Sequence, residues 1–274
     1  MNKNNELELY VEELGKHLFA ELSILNEFWK TNLTGRAKEV KVVIMSACST
    51  GNAIHLLSKN PDIFYSETIM LARSFIEKVT NFCYLQICDD KELERFLLHP
   101  LYRAFHNGDR SKYAGKHTIG LKYSGKDEMK NIPQMQQALA IFSDTDPRMN
   151  WSKLNVDQKV SVIAENTKIS PEFFLMNTLV IYSNASEALH GSLYGCALPT
   201  GAYIPGEDHK NSEKIKESLL KNTALLYVQM GSLIHETLKI FLDNDEIKSL
   251  FESSKKNHEL ATEIMKLIFV NKKL

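Results

Sequence analysis

The chain is short of the features that mark several large classes of protein. Its 274 residues include only four cysteines, which are scattered without a CxxC pair, and no histidines at zinc-finger spacing. Free buried thiols in a reducing cytoplasm account for such cysteines better than disulfides or zinc. The composition therefore predicts neither a disulfide scaffold nor a zinc module.

An excess of charge and a long apolar run are equally absent. The chain carries 33 Lys and Arg against 34 Asp and Glu, a formal charge of -1, so no global basic field favours nucleic acid or a membrane surface. No apolar run approaches the ~18 residues of a membrane helix, and the polar start MNKNNELELY lacks the apolar segment of a signal peptide. We expect a soluble, cytoplasmic protein with no membrane partner, in which any nucleic-acid contact is a local patch.

The motifs of common cofactor enzymes and hydrolases are missing as well. The chain has no Walker A motif, no GxGxxG after a strand, no HExxH and no GxSxG, which argues against ATP, nicotinamide and serine-hydrolase chemistry. Glu187-x-x-His190 has the spacing of half a di-iron site, but the second Glu-x-x-His that such a site needs is not found. We therefore expect neither a cofactor nor a metal.

Apolar side chains recurring at helical period dominate what is present. Over residues 6–29 they return every three or four positions, and charged side chains take the other face. The same reasoning predicts long helices at 36–57, 66–88, 92–106, 171–191 and 212–242, and shorter ones at 132–142, 156–166, 245–256 and 259–270. No run alternates as a strand should. We predict an all-α fold, a single multi-helix bundle forming one domain over 1–274, with its core in 6–106 and 170–270.

A loop-rich insertion is predicted at about residues 107–169. The helical pattern is lost over 107–131, where glycines alternate with basic residues and with Tyr113 and Tyr123. Loops of this length inside a compact domain are usually functional or disordered. Two interpretations stay open: a solvated mobile insertion, or a basic, aromatic flap that covers an anionic substrate.

Polar residues that could form a site lie on two predicted helices. Ser170-Pro171-Glu172 is a strong helix start, and the helix that follows carries Tyr182, Ser186 and His190 at i, i+4 and i+8. The rest of that helix is apolar nearly all round, so we expect it to be buried. A buried polar stripe needs partners, because an unpaired buried polar group costs about 1–3 kcal/mol.

The partners we expect are Arg73 and Glu77, which share a face of the helix 66–88 that Ser66 would cap. One interpretation is a satisfied polar network in which Arg73 pairs with Glu187 and Glu77 with His190. The other is a catalytic site, in which His190 acts as general base or acid and Arg73 stabilises charge on a phosphate.

The same residues carry a family resemblance. The pattern R-S-x-x-E, formed by Arg73, Ser74 and Glu77, is followed much later by Y-S-x-x-S-E-x-x-H-G, from Tyr182 to Gly191. Over about residues 66–193 the chain resembles a bacterial all-helical family related to the HEPN superfamily. The resemblance implies a helical bundle, often dimeric; many members are metal-independent ribonucleases of toxin–antitoxin, abortive-infection and other phage-defence systems. The HEPN site usually has an Arg shortly before its His on one helix, whereas here Arg73 would supply the cation from another helix.

On this resemblance we expect a metal-independent ribonuclease effector of a phage-defence or toxin–antitoxin system, acting on RNA as a homodimer with an antitoxin or other defence protein as partner. The catalytic residues would be Arg73, Glu77, Glu187 and His190, and the substrate-binding residues Tyr182, Ser186, Arg103, Lys112 and Lys116. The alternative is a non-catalytic helical sensor or interaction module in which the same residues form a buried network.

Overall fold

A computed structural model of the chain describes residues 3–107, 109–122, 125–144, 150–190, 192 and 212–269. The chain divides into two compact units. The first unit comprises residues 1–86 and 156–274, and the inserted unit comprises residues 87–155. The inserted unit thus begins earlier and ends earlier than the 107–169 insertion that we expected.

The first unit contains helices throughout its described residues. They are α1 Lys3–Lys30, α2 Gly35–Glu39, α3 Lys41–Leu57, α4 Pro61–Ile87, α8 Val156–Asn166, α9 Pro171–Asn177, a π-helical turn Thr178–Tyr182, α10 Ser183–Leu189, α11 Ser212–Leu238, a 3-10 turn Lys239–Phe241 and α12 Asp245–Phe269. α9, the π turn and α10 follow one another without a gap, and we call residues 171–189 the interrupted helix. The predicted all-α fold is confirmed.

The core of the first unit is built on α1, which packs against α3, α11 and α12. The predicted apolar stripe of α1 is buried, with Leu14, Leu18, Leu22 and Leu25 at most 1% exposed. At the far end of α1, the ring of Phe28 lies 6.0 Å from that of Phe82 and 5.1 Å from that of Phe241. Burial of these side chains orients α1 and so fixes the helices packed around it.

The small residues of α3 allow a close contact with α1. A Cβ atom added at Gly51 would lie 2.3 Å from Cδ2 of Leu22 on α1. A larger side chain at this position would therefore have to displace the Leu22 side chain. α3 is shorter than predicted, because the predicted helix is interrupted at Val40, between α2 and α3.

The inserted unit has a small core of its own. It contains α5 Asp90–Asn107, β1 Arg110–Ala114, β2 His117–Leu121, α6 Lys126–Met129 and α7 Pro133–Ile141. Tyr102 of α5 stacks on Phe142 after α7, with ring centroids 4.5 Å apart. Buried Arg95 donates from Nε to the carbonyl of Trp151 and from Nη1 to that of Ile141. Arg95 therefore ties three segments of this unit together.

The expectation that the chain has no strand is wrong. β1 and β2 pair antiparallel, from Arg110 opposite Leu121 to Ala114 opposite His117. Gly115 adopts φ +59° in the turn, a conformation that glycine reaches without strain. Every residue of both strands is exposed, so no buried face imposes the apolar alternation by which a strand is recognised.

Several helix boundaries also differ from the prediction. α4 begins at Pro61 rather than after Ser66, and only Phe64 departs from helical geometry within it. α5 continues through exposed Pro100, although a proline inside a helix usually bends or breaks it. α12 is one helix rather than two, because the stretch from residue 255 to 258 contains no proline or glycine.

The interrupted helix is less buried than its composition suggested. Phe174, Ile181 and Ala185 are buried, but Leu179 is 71% exposed and Leu189 is 58% exposed. The expectation of burial all round is therefore wrong for this helix. No described helix is long and apolar enough to cross a membrane.

Candidate functional site

Arg73 and Glu77 are held on one side of α4 by the burial of the other side. Ala72, Phe75 and Ile76 are fully buried, whereas the side chain of Arg73 is 23% exposed and that of Glu77 is 39% exposed. The i,i+4 spacing then sets Nε of Arg73 3.3 Å from Oε1 of Glu77. The pair lies at the edge of the core, where solvent still reaches the carboxylate.

The interrupted helix is anchored to α11 before it reaches this pair. The N–H of Ser170, at the N-cap of α9, donates to Oε2 of buried Glu236, which also pairs with Lys239 at 2.7 Å. Directly before the π turn, buried Asn177 donates from Nδ2 to both the backbone carbonyl and the side-chain oxygen of Gln229. These contacts fix the position of the interrupted helix along α11 and its rotation about its own axis.

The π turn sits immediately before the polar stripe. A π turn inserts one extra residue into a helix, so the residues beyond it face a different direction from a regular continuation, and such turns are frequent at functional sites. Here the turn ends at Tyr182, and α10 then carries Ser186 one turn further on. Both side chains point toward α4, while Ile181 stays buried.

Four side chains from these two helices form a hydrogen-bonded group, which we call the Arg73 cluster: Arg73, Glu77, Tyr182 and Ser186. Arg73 donates from Nη1 to Oγ of Ser186 at 2.5 Å and from Nη2 to the hydroxyl of Tyr182 at 3.0 Å. The Tyr182 hydroxyl in turn donates to Oε1 of Glu77 at 2.7 Å. The guanidinium carbon also lies 4.1 Å from the centre of the Tyr182 ring.

The charge distribution of the Arg73 cluster matters for its chemistry. Among the described residues, only Nε of Arg73 contacts a carboxylate, and both terminal nitrogens are held by neutral hydroxyls. Partial burial, together with the hydrogen bond to Glu77, raises the pKa of Tyr182, so its hydroxyl keeps its proton at neutral pH. The edge of the guanidinium that binds phosphates through two parallel hydrogen bonds is therefore covered by displaceable groups.

Glu187 and His190 follow Ser186 along the chain, but their side chains are not members of the cluster. His190 follows α10, and its backbone N–H donates to the carbonyl of Ser186. Both side chains are exposed, and within the described part of the chain neither hydrogen-bonds to a cluster member. The alternative network that paired Arg73 with Glu187 and Glu77 with His190 is therefore wrong, because Arg73 and Glu77 pair with each other.

The remaining predicted substrate-binding residues belong to the inserted unit. Arg103 lies on α5 and is partly buried, Lys112 lies on β1, and Lys116 lies in the turn between the strands. Both lysines are exposed, as is Tyr113. Tyr123, the second aromatic residue of the predicted flap, lies outside the described residues. Residues 110–122 contain no acidic side chain, so the hairpin is basic along its length.

The half-motif Glu187-x-x-His190 was also considered as part of a metal site. Within the described ranges, no group of three His, Cys, Asp or Glu side chains is placed to hold a metal ion. The roles assigned to the site residues stay predictions.

A second polar group was missed by the sequence analysis. It lies where α1, α11 and α12 meet, and we call it the Glu21 cluster: His17, Glu21, His235, Ser254, Asn257 and His258. Glu21 is fully buried and accepts from Oγ of Ser254 and from Nδ2 of Asn257, both at 2.8 Å. Nδ1 of His235 lies 3.0 Å from the same Ser254 hydroxyl.

Burial shifts the titration of the Glu21 cluster strongly. It raises the pKa of Glu21 to about 7 and lowers the pKa of His17 and of His235 to about 4 each. Both ring nitrogens of His17 are buried, and neither has a hydrogen-bond partner among the described residues. The sequence did contain a signal for this cluster: His17 and Glu21 lie at i,i+4 between the buried leucines of α1. Polar side chains on such an apolar stripe require hydrogen-bond partners.

Comparison with known proteins identifies a family without adding an activity. No curated protein and no solved structure matches the chain. Residues 42–197, more than half of the chain, match a family of unknown function, DUF5677, and this range includes every member of the Arg73 cluster. The chain belongs to this family of unknown function, DUF5677.

Proposed function

We propose that the chain is a HEPN-like, metal-independent ribonuclease that acts in the cytoplasm as an effector of a bacterial phage-defence or toxin–antitoxin system. The observation that supports this most is the set of hydrogen-bond partners of Arg73. Its two terminal nitrogens converge on neutral hydroxyls beside solvent, so a phosphate can displace them without breaking the ion pair with Glu77.

In the proposed reaction, His190 takes the proton from a ribose 2′-hydroxyl. The 2′-oxygen then forms a bond to the adjacent phosphorus, the bond from phosphorus to the 5′-oxygen breaks, and the leaving oxygen takes a proton from solvent. Arg73 stabilises the added negative charge on the phosphate, and Tyr182 and Ser186 donate hydrogen bonds to it once displaced. We assign Glu187 to orient His190, three residues further on, because Glu77 holds Arg73 and Tyr182.

RNA binding is assigned to both units. Arg103, Lys112 and Lys116 would contact the RNA backbone, and Lys112 and Lys116 lie on a hairpin that is basic and wholly exposed. We further propose that the protein works as a homodimer and that an antitoxin or another defence protein controls it.

A second candidate is a non-catalytic sensor or interaction module. It is favoured by the completeness of the Arg73 cluster, in which Nε, Nη1 and Nη2 of Arg73 each have a partner. Such a network can serve only to join α4 to the interrupted helix. In that case the loss of Arg73 would lower stability and change no reaction.

Expression of variants in bacteria separates the two candidates. Wild type should inhibit growth and leave fragmented RNA, and His190→Ala should do neither while melting at the wild-type temperature. Leu189→Ala is the matched control, since it truncates the exposed neighbour of His190. Growth inhibition and RNA fragments that persist in His190→Ala would remove the ribonuclease assignment.

A further inference from the structure

A large cleft runs along α1 in the first unit, and it has no part in the proposed function. Its walls are one face of α1, the first turns of α11, and the junction between α3 and α4. Its volume is about 1170 Å³, above the roughly 300–1,000 Å³ of most small-molecule sites. The lining includes no member of the Arg73 cluster.

The floor of the cleft is apolar. Val11, Leu219 and Tyr227 form part of it and are buried, and a Cβ at Gly15 would lie 3.3 Å from the Tyr227 ring. The Tyr227 hydroxyl donates to Oγ of Ser58 at 2.8 Å, so this polar group is already satisfied. A ligand on this floor gains from apolar contact rather than from hydrogen bonds.

An exposed aromatic ring stands at the mouth of the cleft. Phe19 of α1 is 54% exposed and lies against His55, with ring centroids 5.4 Å apart. An aromatic side chain has a larger apolar surface than most others. A ligand that covers the exposed half of the Phe19 ring would therefore gain the free energy of burying that surface.

The charged residues that line the cleft differ in their ion pairs within the described part of the chain. Lys16 pairs with Glu12 at 3.6 Å, and Lys216 pairs with Glu8. Asp62 is close enough to Lys216 to act on it electrostatically. Lys59 lines the cleft and is exposed, and it forms no ion pair with any residue that the structure describes.

We propose that this cleft binds an amphiphilic anion, with an apolar chain along the floor and a single carboxylate or phosphate head group at Lys59. A free fatty acid and a lysophospholipid-like phosphate monoester share this chemistry. An apolar chain suits a floor whose hydroxyls are satisfied, and an anionic head would pair with Lys59, which has no ion pair among the described residues.

Calorimetric titration of the purified chain tests the proposal, with dodecanoate and dodecyl phosphate below their micelle concentrations and dodecanol below its solubility. Dodecanoate or dodecyl phosphate should bind saturably at one molecule per chain, and whichever binds more tightly identifies the source of the head group. Dodecanol should bind about tenfold more weakly, since it lacks the charge that Lys59 attracts. Equal affinity for dodecanol would overturn the role of Lys59, and no saturable binding of any probe would overturn the proposal.

Two pairs of variants locate the binding. Phe19→Asp should weaken dodecanoate binding about tenfold or more, because it removes a ring and adds a repelling charge at the mouth. Leu9→Asp is its control, a change on α1 outside the cleft at a side chain of similar exposure. Lys59→Glu should weaken binding of dodecanoate but not of dodecanol, whereas Lys38→Glu, at an exposed position outside the cleft, should change neither.

The same variants expose a different occupant. If the wild type is a dimer that Phe19→Asp dissociates, and dodecanoate binds to neither protein, a second copy of the chain fills the cleft and the proposal is wrong. Equal losses in Phe19→Asp and Leu9→Asp would also contradict it, because binding would then not depend on the mouth of the cleft.

Discussion

The Arg73 cluster and the Glu21 cluster are both hydrogen-bonded polar groups between helices of the first unit, yet they differ in access to solvent. The Arg73 side chain is 23% exposed and that of Glu77 is 39% exposed, whereas Glu21 is fully buried. Water can stabilise changes of charge in the first cluster but not in the second. We therefore expect the Arg73 cluster to exchange partners with a ligand, and the Glu21 cluster to contribute to the stability of the helix packing.

The two clusters also differ in how their charges are matched. Arg73 has a carboxylate beside it and two hydroxyls that can be displaced. Glu21 has no cation in hydrogen-bond contact within the part of the chain that the structure describes; its oxygens accept from Ser254 and Asn257, and burial favours its protonated form. Variants in the first cluster should therefore affect activity more than stability, and variants in the second should do the opposite.

The largest expected effect is that of Arg73→Lys on RNA cleavage. Lysine keeps the charge but cannot offer the two parallel donors of a guanidinium, so the rate should fall about 10²–10³-fold. The free energy of unfolding should change by less than about 1 kcal/mol, since the site is partly exposed. Initial cleavage rates and urea titrations of the two proteins give both values. An equal cleavage rate would contradict the assignment of Arg73.

Replacement of Glu21 by glutamine should change how stability depends on pH. The pKa of Glu21 is about 7 in the folded chain against a reference value of 4.5. Its contribution to stability is fully present below pH 4.5 and is lost as the pH rises through 7. The full shift corresponds to about 3 kcal/mol, so Glu21→Gln should gain up to this amount over wild type between pH 5 and pH 8.

Urea titrations at pH 5 and pH 8 measure this gain. His17, His235 and His258 face Glu21 in the cluster and their pKa values are lowered, so below pH 6.5 they act in the opposite sense in both proteins and cancel from the difference. Glu13→Gln, an exposed change on the same helix, is the control. A gain that is the same at both pH values would show that Glu21 does not titrate as described.

Gly231→Ala should destabilise the packing of the same cluster. A Cβ at this position would lie 2.5 Å from Nε2 of His17, a side chain that is itself buried. Overpacking of this kind costs about 1–3 kcal/mol. Thermal melting measures the loss, and Gly120→Ala on exposed β2 should melt like wild type. A Gly231→Ala protein as stable as wild type would mean that His17 moves aside freely.

The smallest expected effect is that of Lys112→Ala combined with Lys116→Ala. Both lysines are exposed on the hairpin, so the melting temperature should not change. Single-stranded RNA should bind about five- to tenfold more weakly, and the slope of log affinity against log salt should fall by about 1.4 as two phosphate contacts are lost. Lys91→Ala, at the far end of α5, is the control. An unchanged slope would exclude the hairpin from RNA binding.

The sequence predicted the features that depend on helical period. The leucines of α1 are buried as their spacing indicated, and the i,i+4 pairs Arg73–Glu77 and Tyr182–Ser186 do meet across two helices. Each of these depends on side chains that repeat on one face of a helix, which is a local property of the chain.

Other features depend on contacts between distant segments and were not predictable from local pattern. The hairpin buries neither face, so its sequence shows no alternation, and the π turn that aims Tyr182 has no local signal that we recognise. The partners of Glu21 come from α12, more than two hundred residues away. The period of α1 could mark Glu21 as buried, but it could not name those partners.

The most direct test of the central claim, that the Arg73 cluster with His190 cleaves RNA, is the chemistry of the RNA ends. Purified wild type should cut a defined single-stranded RNA in the presence of EDTA, leaving a 2′,3′-cyclic phosphate on one fragment and a 5′-hydroxyl on the other. His190→Ala should leave the RNA intact. Intact RNA with the wild-type protein, or the same ends from His190→Ala, would contradict the account.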